Sequence, residues 1–444
     1  MSERPRWRGL PIPGLLRALR HRNYRLFIAG QIVSLVGNWI QGTALNWLVL
    51  NVLMASSFQL GVFNFALQVP VLLLGLFAGA LVDTVNRHRL LLVTQGLFMV
   101  HAVVLAVLTL LHHGSGAPLL TYPLAVGLAF VSGVLQAFDL PARSAFLLQM
   151  VPREDLQNAV ALNSLTFNGA RVIGPALAGT LLAWFSRAYS DRLGFGEGLC
   201  FVMNAVSYIA VLLSLLQMRV EAPPADRKAD YSPRYLLDGI RYVAARPHIA
   251  GLLLHLTIMA LFGIPYLLLI PVFAREVLHG DASVFGRLMA SIGIGALAGG
   301  VIMAMRKGVR GLGRHMTAST AAFAICILVF ARMDFLWSAS LAIGAAGFSM
   351  VMAMIGSQTL AQTLVAENVR GRVLSLYTMI SVGMLPFGSL ISGALAQYFG
   401  VRTAFTINGA VCLLTALGFS LTLPRLRAWA HATEEYQQAV AEPV

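Results

Sequence analysis

The sequence predicts an all-α membrane protein, with twelve transmembrane helices arranged as two pseudo-symmetric six-helix bundles. Three observations carry that reading. The chain of 444 residues is 58% hydrophobic and only 11% charged, where soluble domains carry about 25% charged residues. Its apolar residues fall in runs long enough to cross a ~30 Å hydrocarbon core as helix. The first six of these runs echo the second six at nearly constant offsets.

Along the chain, residues 1–23 form a cytoplasmic N-terminal segment. From Gly14, GLLRALRHRNYRLF leads into the first span and alternates leucines with basic residues as an amphipathic surface helix does. An N-terminal bundle over 24–218 contains spans near 24–51, 58–82, 89–112, 119–139, 158–184 and 198–218. A cytoplasmic linker, 219–247, is the most charged connector, and its Leu236, Leu237, Ile240 and Val243 suit a second surface helix. The C-terminal bundle, 248–423, contains spans near 248–274, 284–305, 314–332, 335–363, 372–398 and 403–423, followed by a cytoplasmic tail, 424–444. The first run is far longer than the ~7–15-residue core of a signal peptide, so no cleavable leader is expected.

The echo between the halves is specific. Gly174 and Gly179 map onto Gly388 and Gly393 at an offset of 214. Gly61 and Gly75 map onto Gly286 and Gly300 at 225, and Asn204 onto Asn408 at 204. Two six-helix halves about an axis normal to the membrane are a transporter architecture, with its site near the midplane between them.

The net charge of +14 has a topological cause and implies no nucleic acid. One set of alternate connectors, with the termini, holds 25 of the 32 Lys and Arg, and the opposite set holds 6. The positive-inside rule then puts both termini in the cytoplasm. Cys200, Cys326 and Cys412 lie in apolar runs without metal or redox spacing, so neither a disulfide framework nor a metal site is expected. No phosphate loop, metal cluster or nucleophile–base set argues for an enzyme.

GALVDTVNRHRLLL, from Gly79, and RVIGPALAG, from Arg171, are followed by family-like context. The first resembles the motif between helices 2 and 3 of the major facilitator superfamily: Gly79, Asp83, Arg87 and Arg89 match, and Thr84 and Asn86 depart. The second resembles the helix-5 antiporter motif, through Gly174, Pro175 and Gly179. FDLPARSAF, from Phe138, with VPREDLQNAVALNSLTFNGARVIGPALAG, from Val151, resembles the transmembrane secretion effector branch, which includes the enterobactin exporter. The resemblance implies a cytoplasmic gate in which Asp83 latches onto the start of helix 11, with Arg370 and Arg372 nearby. Asp139 and Arg143 would join it from the end of span 4. A solvated turn with topology-setting arginines is the plain alternative. The helix-4 arginine of many proton-coupled exporters is absent from AVGLAFVSGVLQAF.

Polar residues inside the spans supply candidates for a substrate cavity. Arg171 is deep in span 5, and facing lipid it would cost at least ~2.5 kcal/mol. Ser164, Asn168, Arg171 and Pro175 share one helical face. Gln31, Ser34, Asn38 and Gln41 form a stripe on span 1, and Gln358 with Gln362 a pair on span 10. His255 is a candidate coupling residue. For each, hydrogen bonding between helices is the competing role. No Asp or Glu is expected mid-span: Asp83 and Asp139 fall at cytoplasmic ends and Glu276 at an outer end. A cavity with arginine and amides but no acid suits a neutral or anionic amphipathic molecule.

The resulting expectation is a monomeric exporter in a bacterial inner membrane, working by alternating access. It needs no cofactor and draws on the proton gradient to move a small molecule such as a drug, antibiotic or siderophore. A lysophospholipid transporter of the same fold is one rival. A non-transporting receptor or scaffold is another.

Overall fold

The structure, a computed structural model, describes residues 14–112, 118–189, 192–218, 241–306, 308, 311–363, 365 and 367–432. A short 3-10 helix, Gly14–Arg20, precedes the first half. That half consists of α1 (Arg22–Asn51), α2 (Ser57–Thr84), α3 (Arg87–Leu110), α4 (Tyr122–Met150), α5 (Arg153–Ala188) and α6 (Phe195–Leu216). The second half begins with α7a (Pro247–Ile258), a π-helical turn (Met259–Gly263) and α7b (Tyr266–Glu276). It continues with α8 (Ala282–Met305), α9 (Leu312–Phe330), α10 (Leu336–Thr363), α11a (Glu367–Gly383), α11b (Leu385–Phe399) and α12 (Val401–Ala432). These form twelve spans, and both described ends of the chain lie at one end of the bundle, called basal below; the other end is distal. Linker residues 219–240, N-terminal residues 1–13 and tail residues 433–444 lie outside the described residues.

Among the described residues, ten helices are apolar and long enough to cross a membrane. The two others, α1 and α5, are the ones whose interior stripes of amides, hydroxyls and, in α5, arginine lower their hydropathy. Local sequence explains the helix starts. Ser56 and Gln59 form a capping box at α2, Asn86 caps α3 and Asp281 caps α8, each satisfying amides the first turn leaves free. Asn86, a departure from the superfamily motif, is therefore the residue that starts α3.

The boundary of span 4 needs correcting. Pro141 reads as a helix stop, yet it sits inside α4, which continues to Met150. Neighbouring helices re-satisfy the amides that proline disturbs, so membrane helices tolerate it. The consequence is chemical: Asp139 is not at a helix exit. It lies eleven residues, about 16 Å, above the basal end of α4.

The halves meet along two seams, α5 on α8 and α2 on α11b. A pseudo-twofold relation is visible in the glycines. A Cβ on Gly179 would come within 2.5 Å of the Gly286 Cα, and one on Gly393 within 3.1 Å of the Gly61 Cα. These are the residues that the offsets of 214 and 225 equate, exchanged between halves. Gly174 likewise admits α1 at Trp39, and Gly388 admits α7 at Pro265 and the Leu261 carbonyl.

The core is divided unevenly along the membrane normal. One distal cluster runs through both halves, from Leu48 and Phe201 to Phe273, Phe285 and Phe405. Basally there are three separate clusters, one around Phe27, Phe146 and Tyr208 in the first half and two in the second, around Leu252, Met316 and Leu376 and around Ile249, Val365 and Val373. The distal end is pinned further by stacking of Trp47 on Phe285, 5.8 Å between ring centres. Arg275 adds a hydrogen bond from Nη1 to the Leu50 carbonyl at 2.7 Å. The bundle is thus joined distally and split basally.

Candidate functional site

The basal cores are separate, so a cavity of this fold belongs in the space between the halves, and α5 shows which side chains border that space. One side of α5 packs on α1 through Gly174 and another on α8 through Gly179. Two exposed faces remain. Ile173, Leu177 and Trp184 dominate one, as lipid requires, and its exposed Thr180 returns its hydroxyl to the Ala176 carbonyl at 2.9 Å. Exposed Ser164 and Phe167 with half-buried Asn168 and Arg171 make the other, and it carries the amide and the charge. Arg171 is at mid-helix, the most expensive depth for a charge in lipid. It stacks over the Trp39 ring, 5.8 Å from its centre, a cation–π contact from α1. Among the described residues no carboxylate pairs with it. Asn168 spends one amide hydrogen on the Ser164 carbonyl at 2.8 Å, leaving its oxygen exposed.

The stripe on α1 turns away from this cavity. Gln31 accepts from Arg143 Nη1 on α4. Asn38 accepts from the Tyr208 hydroxyl at 2.6 Å and, weakly, from Asn204. Gln41 accepts from Asn204 Nδ2 at 2.8 Å. Ser34 is buried without a partner among the described residues. The reason is close packing: Gly30 and Gly37 bring α1 against Ser214 and Ser207 of α6, so the polar stripe becomes the α1–α6 seam. The α1 residues nearer the cavity are Trp39, Gly42 and Asn46, and Asn46 accepts from Asn64 of α2 at 3.0 Å. Sequence reasoning missed Trp39, because an aromatic in an apolar run carries no polar signal.

His255 is also interior. Its Nε2 is 3.3 Å from Thr320 Oγ1 and its ring 5.3 Å from Phe419, among α7a, α9 and α12. Gln358 and Gln362 are exposed one turn apart on α10. Gln68 of α2 crosses between halves to Ser389 Oγ at 3.3 Å.

The expectation of no mid-span acid is overturned by Asp139, and a second buried acid lies at the distal end of α6. Asp139 is 3% exposed. Its Oδ2 accepts from Arg143 Nη2 at 2.6 Å, and its Oδ1 from Thr94 Oγ1 at 2.8 Å and Gln95 Nε2 at 2.7 Å. Burial of that charge is compensated because one face of α4 presents acid and base four residues apart. Glu197, in the first turn of α6, is 8% exposed. The span-6 boundary fell one residue past it.

At the basal gate, Gly79 lies near the end of α2. Arg87 Nε donates to the Val82 carbonyl at 3.4 Å, and the Arg89 amide to Asn86 Oδ1 at 3.1 Å. The side chains of Asp83, Arg370 and Arg372 lie outside the described residues. Pro175 and Gly179 of the helix-5 motif sit in the α5–α8 seam, where the Pro175 carbonyl and Gly179 face Gly286.

Comparison with known proteins agrees with this architecture. A profile described as "transmembrane secretion effector" matches residues 14–444. The chain is 28% identical over 402 residues to the staphyloferrin A transporter of Staphylococcus aureus, covering 89% of this chain and 95% of that one. It is 26% identical over 409 residues to the enterobactin exporter of Salmonella choleraesuis, covering 92% and 94%. Among solved structures, a bacterial homologue of the human lysosomal transporter Spinster, inward-facing and occupied, superposes with a TM-score of 0.68 at 16% identity, covering 91% and 97%. A D-xylose–proton symporter gives 0.68 at 15% identity, covering 89% and 96%. With the doubled six-helix fold and its paired glycine seams, these matches show that the chain belongs to the transmembrane secretion effector family of the major facilitator superfamily.

Proposed function

We propose that this transporter exports a small amphipathic, neutral or anionic molecule, with a siderophore as the leading class. The observation that carries the reading is Arg171. It is a half-buried cation at mid-helix on the more polar face of α5, stacked on an aromatic ring and, among the described residues, without a carboxylate partner. Such a group favours an anionic or oxygen-rich ligand. The two relatives named above, both siderophore transporters, support the same class.

The reading includes a bacterial inner-membrane location and a monomer, and the distribution of Lys and Arg supports both termini in the cytoplasm. The basal opening then faces the cytoplasm, and the bodies that rock are the halves 24–218 and 248–423. Asp83, Arg87, Arg89, Arg370 and Arg372 serve as the basal latch. The pH gradient is the proposed energy source, and Asp139 with Arg143 is a buried ion pair inside a span of the first half.

The test is uptake into inverted vesicles containing the purified protein. A pH gradient should drive uptake of a ferric-free catecholate or carboxylate siderophore, and Arg171→Ala should abolish it while insertion is retained. Normal uptake by that variant would sink the cavity role. Headgroup-dependent lipid movement with no siderophore uptake would favour the lipid transporter.

A further inference from the structure

Away from the cavity, on the lipid side of the first half, α1 and α5 border a largely apolar groove of about 320 Å³, and the Tyr24 hydroxyl ties them basally to each other through the Ala159 carbonyl at 2.9 Å. Ile28, Ile32 and Val36 form one wall, and Leu165, Gly169 and Ile173 the other. Ile32 and Ile173 are about half exposed, at 48% and 51%. The lining continues into the lipid face of Leu177 and Trp184 and is opposite the face of Arg171 and Asn168. The α1 wall runs eight residues, about 12 Å, and the α5 wall from Leu162 to Ile173 eleven residues, about 16 Å. One leaflet of a ~30 Å hydrocarbon core is about 15 Å deep. The groove is therefore as long as one leaflet, and an acyl chain fits it end to end.

Its mouth is basic. Leu19 of the 3-10 helix closes the basal end. Arg25 lies on the groove face of α1, at 3, 7 and 11 residues before Ile28, Ile32 and Val36, and is exposed. Its Nη1 donates to the Leu19 carbonyl at 3.4 Å, which spends one of five guanidinium N–H groups. Arg20 and Arg22 are exposed beside it. Asp155 is the acid at the rim, and it is already paired with Arg17 at 3.3 Å and hydrogen-bonded with His21 at 2.8 Å; the exposed Arg153 and Glu154 are of opposite charge.

We infer that this groove is a binding site for an anionic phospholipid of the basal leaflet, its acyl chain between α1 and α5 and its phosphate on Arg25. The apolar length selects a chain, and the uncompensated arginines select the headgroup charge. The site is separate from the transport cavity and does not depend on the exported molecule.

Native mass spectrometry of the purified full chain tests it, with phosphatidylglycerol and phosphatidylcholine of equal chain length. The parent should retain phosphatidylglycerol preferentially. Arg25→Ala, an exposed position, should weaken that retention about fivefold per lost charge and leave phosphatidylcholine unchanged. Gly169→Leu should weaken both lipids, because the Gly169 Cβ direction is open space and the side chain fills the groove without unfolding the helix. Equal retention of the two lipids by the parent, or full retention by either variant, overturns the site. Loss of phosphatidylglycerol on Arg171→Ala but not Arg25→Ala would move the lipid to the central cavity and overturn it as well.

Discussion

Replacing Gly179 by alanine should open the distal seam. The added Cβ would lie 2.5 Å from the Gly286 Cα and 2.8 Å from the Ala282 carbonyl oxygen, where ordinary contacts are 3.4–4 Å. Both obstacles are backbone, so neither can swing aside, and α5 and α8 must part by about 1 Å. Overpacking of this kind costs about 1–3 kcal/mol. Alanine also favours helix over glycine by about 1 kcal/mol, but α5 is helical in either state of the transporter, so that gain cancels. The clash exists only when the distal seam is closed. The balance should therefore shift toward the distally open state by about 5- to 150-fold. A cysteine at Gly42, on the cavity side of α1 with nothing within 4 Å of its Cβ direction, reports the change in a background without Cys200, Cys326 and Cys412. Labelling by an impermeant maleimide from the distal side should speed up by at least fivefold in Gly179→Ala. Gly393→Ala, its pseudo-symmetric mate, should act in the same direction with a smaller effect, since its closest backbone contact is 2.8 Å. Gly75→Ala, which meets nothing within 4 Å, is the control. Equal labelling rates for Gly179→Ala and Gly75→Ala would refute the argument.

Three further outcomes are expected. Arg275→Ala removes the hydrogen bond to the Leu50 carbonyl, worth about 1.5–3 kcal/mol as a charged bond and less at this partly exposed site; distal labelling should rise without loss of folding. Asp139→Ala strands the Arg143 guanidinium, which is 18% exposed, so the single variant should melt lower than Asp139→Ala combined with Arg143→Met; a lower melting point for the double variant would contradict the pairing. The hydrogen bond from His21 holds the Asp155 carboxyl below the usual carboxylate range, with burial opposing and Arg17 reinforcing it. A depressed acid contributes its stability above its unfolded pKa of about 3.9 and loses it as pH falls through the lower folded value. Hydrogen exchange of the Ala18 amide, which donates to Asn158 beside this pair, should report no Asp155-linked change between pH 7 and 5, and faster exchange in Asp155→Asn.

Much of this protein was determined by local chemistry along the chain. Span number and order follow from apolar length, and the repeat from glycines at offsets of 214 and 225. Arg171 was legible too, because a charge at that depth must find a polar surround whatever the packing. Tertiary structure decided the rotation of each helix. Gln31, Asn38 and Gln41 are as polar as any cavity residue, and their spacing is that of a single face. Only the approach of α6, permitted by Gly30 and Gly37, turns that face into a seam. The same holds for His255 against Thr320. Pro141 was ambiguous for a related reason: whether proline ends a membrane helix depends on the neighbours that satisfy the freed backbone, and these belong to other segments of the chain. With α4 extended to Met150, an acid that seemed to leave the membrane became a buried ion pair with Arg143, bound by Thr94 and Gln95 of α3. Periodicity sets which residues share a face; the packing of distant segments sets what that face meets.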